Sequence, residues 1–201
     1  MVSAPSGSSG VHLPDTAGDL VKILVAGPFG VGKTTLIDSV SEIRPLHTEE
    51  RLTEASAPTD DLDGVREKTT TTVAVDFGRI SLPDGVVLYL FGAPGQARFR
   101  PLWDDLAHGA LGALVLVDSR RVDASFDALE LVEETGLPYA VAFNAFPDAP
   151  RHHTPAQLRA ALDLEPATPM VTCDARDAAS SLGALLALVQ RLVDRHPSEP
   201  R

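Results

Sequence analysis

The sequence predicts an α/β fold: a six-stranded, mostly parallel sheet with one antiparallel edge strand and helices on both faces. Three observations predict it. Short apolar runs alternate with helix-like stretches, the pattern of βαβ units. Two of those runs, residues 73–80 and 86–91, are joined by Ser81-Leu82-Pro83-Asp84-Gly85, whose Pro and Asp-Gly suit a hairpin. That pair therefore runs antiparallel. Finally, 201 residues with 44% hydrophobic content suffice for one buried core.

Taken in order, residues 1–19 are Ser-, Gly- and Pro-rich without periodicity and read as a disordered leader. Strands are predicted at 21–26, 73–80, 86–91, 113–117, 140–143 and 169–172, where apolar residues cluster in short runs. Helices are predicted at 34–42, 99–107, 125–135, 155–162 and 178–195. Thr154, Pro155 and Gln157 form a capping-box start with proline at the first helical position. Leu182, Leu185, Leu186, Val189 and Val193 give the last helix one apolar stripe expected to face the core. Residues 43–72 differ: they carry many charges, little apolar patterning, and far exceed an ordinary connection, so they are either functional or disordered. The domain expected from this pattern spans 20–196, followed by a flexible tail at 197–201.

The formal charge of −11 argues against a non-specific nucleic-acid binder, which needs clustered Lys and Arg to neutralise phosphates. Lysine occurs only at positions 22, 33 and 68. The lone Cys173 and the lack of a signal peptide point to the cytoplasm. No apolar run reaches the length of a membrane span, and neither end carries a lipidation motif. Any membrane attachment is expected to be peripheral and borrowed from partners.

The chemistry is concentrated in Gly27-Pro28-Phe29-Gly30-Val31-Gly32-Lys33-Thr34, which satisfies G-x-x-x-x-G-K-[ST] between a strand and a helix. In such a loop, through Thr35, glycines let successive N–H groups face phosphates and the helix N-terminus adds partial positive charge. Lys33 is expected to bridge the β- and γ-phosphates, and Thr34 to offer its hydroxyl to magnesium. The loop thus predicts a nucleoside triphosphate bound with Mg2+. Among Thr69 to Thr72, a hydroxyl at Thr72 suits a second magnesium contact made only when the γ-phosphate is present. The alternative is a β-branched strand entry. Gly92-Ala93-Pro94-Gly95-Gln96 follows a strand, so Gly95 can present its N–H to the γ-phosphate and Gln96 can orient the attacking water.

Together these motifs resemble a small Ras-like GTPase over residues 20–195. The resemblance is greatest to the bacterial branch containing the gliding-motility protein MglA and the actinobacterial conservon (CvnD-type) GTP-binding proteins, in which a Pro-Gly-Gln turn recurs without the usual aspartate. It implies GTP and GDP as ligands. It also implies a small Roadblock-type activator or scaffold as partner in a signalling complex. Where the family's magnesium motif carries aspartate this chain has Gly92, so the carboxylate behind the metal is expected to be missing. Phe29 stands at a position often occupied by glycine, and its bulk is expected to hinder an external arginine and slow hydrolysis. Arg66, Arg98 and Arg100 are candidate internal substitutes, although a solvated surface role suits each of them better.

The resemblance also places base recognition in Asn144-Ala145-Phe146-Pro147-Asp148, which keeps the asparagine, replaces the lysine and displaces the acid by one residue. Cys173-Asp174-Ala175-Arg176 resembles the family's Ser-Ala-Lys loop, with the Ala175 N–H expected at the guanine O6 and Asp174 or Arg176 beside the base. Cys173 itself reads as a small buried residue, since no local base activates it. The adjacent His152 and His153, and the acidic run at Asp60, Asp61 and Asp63, lack the partners of a metal site. The function expected is a GTP-binding regulatory switch with slow hydrolysis. Two alternatives stay open: a degenerate nucleotide-binding scaffold without turnover, and a P-loop ATPase or kinase, for which no Walker-B acid is evident.

Overall fold

Strand β1 (Leu20–Ala26) sets the layout, because its side chains alternate between two dry layers. Ile23 and Val25 face one layer and Leu24 and Ala26 the other, and none of the four is exposed. A strand buried on both faces needs helices on both faces. In the computed structural model, which describes residues 19–53, 70–82, 85–146 and 153–195, helices α1 (Lys33–Val40) and α5 (Ala178–Arg195) supply one cover. There Leu36 and Ile37 meet Leu185 and Leu188. Helices α2 (Arg100–Ala107), α3 (Phe126–Glu134) and α4 (Pro155–Ala161) supply the other, through Trp103, Leu129, Val132 and Leu158.

The remaining strands are β2 (Leu46–Thr53), β3 (Thr70–Ser81), β4 (Val87–Gly92), β5 (Ala110–Asp118), β6 (Tyr139–Asn144) and β7 (Met170–Cys173). Their order is β2-β3-β4-β1-β5-β6-β7. Neighbours from β4 through β7 pair in parallel, and β3 runs antiparallel to β4, as the hairpin signal predicts. All the expected strands are present and form the predicted mostly parallel α/β sheet. β2 is an addition to them. It pairs antiparallel with β3, from Leu46 opposite Phe77 to Thr53 opposite Thr70, and so covers the antiparallel edge. Its sequence, Leu-His-Thr-Glu-Glu-Arg-Leu-Thr, has none of the alternation of a half-buried strand, which is why it reads as irregular.

Two local differences have physical causes. The first helix stops at Val40, where Ser41 turns extended and the Glu42 N–H donates to Arg79 of β3 at 2.9 Å. The apolar stripe predicted on α5 also splits. Leu185 is buried, while Leu186 and Val193 are 51% and 55% exposed. The buried face runs through Ser181, Ala184, Leu185 and Leu188 instead, where small residues let the helix approach the sheet. The capping box at α4 is present in full: Thr154 N–H donates to Gln157 Oε1 at 2.8 Å and Gln157 N–H donates to Thr154 Oγ1 at 3.2 Å.

Of the sequence-based expectations, residues 1–18, Asp60 to Asp63, Arg66, Asp148, His152 and the tail from 196 lie outside the described residues.

Candidate functional site

In a doubly covered parallel sheet, ligands bind beyond the carboxyl ends of the strands, where the connections diverge. β1 occupies that position, between β4 and β5. Beyond Ala26 the chain turns through Gly27 to Gly32 and enters α1 at Lys33. Gly32 has φ +104, and a Cβ there would meet Asn144 Nδ2 at 2.7 Å, so only glycine serves. The Lys33 ammonium lies beneath the loop and donates to the carbonyls of Gly27 at 2.7 Å and Pro28 at 2.9 Å. Burial pushes it down to about 8, with the Asp76 carboxylate pulling the other way.

The principal correction concerns the carboxylate. Asp76 in β3 is buried, and its Oδ2 accepts from the Thr34 hydroxyl at 2.6 Å. A Cβ on Gly92 would lie 3.1 Å from both the Asp76 Cβ and its Oδ2. The acid absent at Gly92 is thus supplied by the adjacent antiparallel strand, in the space a side chain at Gly92 would fill. Its signal in the sequence was an aspartate inside the apolar run Val73-Ala74-Val75-Asp76-Phe77. Thr72, by contrast, has its backbone opposite Arg51 of β2. Four residues of strand put it about 13 Å from Asp76. This arrangement brings Asp76 to Thr34.

A cavity of about 430 Å³ opens here, lined by Phe29, Gly30, Gly32, Lys33, Thr34, Thr35, Asp76, Pro94, Gly95, Gln96, Arg98 and Phe99. Most of the predicted phosphate-loop and turn residues are thus brought together; Val31 is not among those lining the cavity, its side chain being buried in the core. The turn is held from several sides. Ala93 N–H donates to Val25 at 2.8 Å, Trp103 Nε1 donates to Pro94 at 2.8 Å, and Gly95 packs so near Gly27 that a Cβ would run into its carbonyl. Gln96 Oε1 is buried with no hydrogen-bond donor among the described residues. Phe29 stands 80% exposed at the rim. Arg100 points elsewhere, paired with Glu134 and Glu130 of α3, which removes it as an internal arginine for this cavity.

Of the residues expected at the base, Asn144, Cys173, Asp174 and Ala175 lie within the described residues. Asn144, buried at the end of β6, donates from Nδ2 to the Val31 carbonyl at 2.8 Å and accepts at Oδ1 from the Ala175 N–H at 3.0 Å. It is a strut between the phosphate loop and the loop after β7. Cys173 is fully buried, with Sγ 4.0 Å from Ser181 Oγ, and burial pushes its thiol up. The Asp174 carboxylate takes two hydrogen bonds from the Arg176 guanidinium, at 2.9 and 2.6 Å, which hold it down to about 2.

Sequence reasoning missed Asp118, the last residue of β5, fully buried and opposite Asn144 in register. Burial works against its charge, and Arg120 more than offsets that, with Nε on Oδ1 at 2.9 Å and Nη2 on Oδ2 at 2.7 Å. The same guanidinium lies 3.5 Å from the Phe146 ring centroid. An aspartate closing an apolar run was the available signal.

Residues 25–195 match the model of a family described as conserved hypothetical ATP binding proteins. An uncharacterised protein, MJ1339, from Methanocaldococcus jannaschii is 30% identical over 128 residues, which is 63% of this chain and 70% of that protein. A glycine-rich loop over a half-buried lysine, opening a helix whose first threonine meets a buried carboxylate, suits a bound nucleotide phosphate. With that geometry and a family match covering most of its length, the chain belongs to this family of P-loop nucleotide-binding proteins.

Proposed function

We propose that the protein is a GTP-binding switch with slow intrinsic hydrolysis. The observation that carries this reading is the gathering of Lys33, Thr34, Asp76 and Gln96 around one cavity. Thr34 and Asp76 form a hydroxyl and carboxylate pair suited to a hard cation shared with phosphates and water. They are the residues that would hold Mg2+, whose chemistry would be neutralisation of charge between the β- and γ-phosphates. Lys33 supplies a second positive charge to the same oxygens. Gln96 Oε1 accepts a hydrogen bond from the attacking water, which holds that water in line with the γ-phosphorus. Phe29 covers the rim and excludes groups arriving from outside, which favours slow turnover in isolation.

Guanine specificity rests on the resemblance of Pro94-Gly95-Gln96 and Asn144 to Ras-like proteins of the MglA and conservon branch. A Roadblock-type partner and a role in signalling rest on the same resemblance. A second reading, ATP as ligand, is favoured by the family description and by Asp76, which supplies the acid a P-loop ATPase needs. Chromatography of the nucleotide released on denaturing the purified protein separates the two: guanine supports the proposal and adenine replaces it. Magnesium-dependent turnover with the triphosphate identified tests the enzymatic half. Binding without any turnover would leave a scaffold.

A further inference from the structure

We infer that Arg98 supplies the transition-state arginine of this site from within the chain. The inference rests on the proposed triphosphate hydrolysis. In that reaction the water oxygen forms a bond to the γ-phosphorus while the bond from that phosphorus to the β–γ bridging oxygen breaks. The electron pair leaves on the bridging oxygen, and the proton of the water ends on the released phosphate. Negative charge therefore grows at the bridging oxygen, and a guanidinium placed there lowers the barrier.

Arg98 lies two residues after Gln96, in a 3-10 turn at Ala97–Phe99 whose Phe99 N–H donates to the Gln96 carbonyl at 2.9 Å. Phe99 is buried, which anchors the turn, while Arg98 is exposed and lines the cavity with Lys33, Thr34 and Gln96. Its guanidinium sits over the Phe99 ring, 4.7 Å from the centroid. Stacking holds one face of the group and leaves its in-plane N–H edges for oxygens. No carboxylate pairs with it among the described residues, in contrast to Arg100, which Glu134 and Glu130 hold. Arg98 already lines the cavity from within the chain, so it need not pass the exposed Phe29 as an arginine from outside would.

The test is single-turnover hydrolysis by the full chain loaded with GTP and magnesium, alongside affinity for GDP with and without aluminium fluoride. Arg98→Ala is expected to slow hydrolysis about a hundredfold or more, to leave diphosphate affinity unchanged, and to abolish the tightening by aluminium fluoride. Arg98→Lys keeps the stem and charge but not the planar fork, and is expected to stay at least tenfold slow. Added guanidinium ion should restore part of the Arg98→Ala rate. Wild-type turnover equalled by Arg98→Ala overturns the inference and leaves the proposed function standing. No turnover in the wild type overturns both.

Discussion

The Thr34 hydroxyl donates to the Asp76 carboxylate over 2.6 Å, tying the first turn of α1 to the middle of β3. Asp76 does so from space that a side chain on Gly92 would contest at 3.1 Å. The acid and the glycine therefore share one space, and the carboxylate is expected to be exchangeable between the two strands. Asp76→Ala is expected to weaken magnesium-dependent nucleotide retention about ten- to a hundredfold, as loss of a group supporting a metal ligand does. Gly92→Asp alone should lower the melting temperature, since it crowds two carboxylates together. Joined with Asp76→Ala it should recover retention. Nucleotide release rates across a magnesium titration read all three variants, and a double variant no better than Asp76→Ala would refute the exchange.

Asn144 joins two loops that share no sequence proximity, through Val31 at 2.8 Å and Ala175 at 3.0 Å. Asn144→Ala leaves a buried carbonyl and a buried N–H without partners. The expected loss is about 2–4 kcal/mol of stability, read as a lower denaturant midpoint without nucleotide. Nucleotide release should quicken in the same variant because the phosphate loop loses its brace. Unchanged unfolding would show that water satisfies both groups.

The phosphate loop was legible because its function needs a contiguous run: glycines, lysine and threonine sit in one stretch with one strand before and one helix after. The carboxylate was not, because it reaches Thr34 across strands, and register is invisible in a one-dimensional pattern. Asp76 had a local signal, a charge within an apolar run, but nothing in the run tells which loop it faces. β2 was missed for a related reason: its residues form a polar strand at the sheet's edge, and edge strands carry little periodicity. On α5 the expected stripe keeps only Leu185 on the buried face, since Ser181 and Ala184 set the close approach while Leu186 and Val193 are left to solvent.

Lys33 gives the site a pH dependence. Burial lowers its ammonium from 10.5 to about 8. Between those values the unfolded chain binds more protons than the folded one, so the nucleotide-free protein gains stability as pH rises through that window. A bound triphosphate reverses the balance by drawing the proton back onto Lys33. Affinity should thus be level below pH 8 and fall as pH climbs above it, with proton uptake on binding near pH 8 to 9. Calorimetric titration in buffers of differing ionisation enthalpy measures that uptake. A dissociation constant flat from about pH 7 to 9.5 would contradict the linkage.

Gln96 separates catalysis from stability most cleanly. Its Oε1 is buried beside the cavity and has no donor among the described residues, so in the nucleotide-free protein it carries a desolvation cost with nothing in return. Gln96→Leu keeps the bulk of the side chain and removes that polar atom. Its melting temperature is expected to equal or exceed the wild type's, by up to about 1 kcal/mol in stability. Hydrolysis should fall about a hundredfold, because the water loses the group that aligns it, while triphosphate affinity stays put. A residue retained for packing would behave in the opposite way, losing stability and sparing turnover. Measuring melting temperature, affinity and single-turnover rate on this one variant therefore decides whether the glutamine is held ready for a water or merely fills the turn.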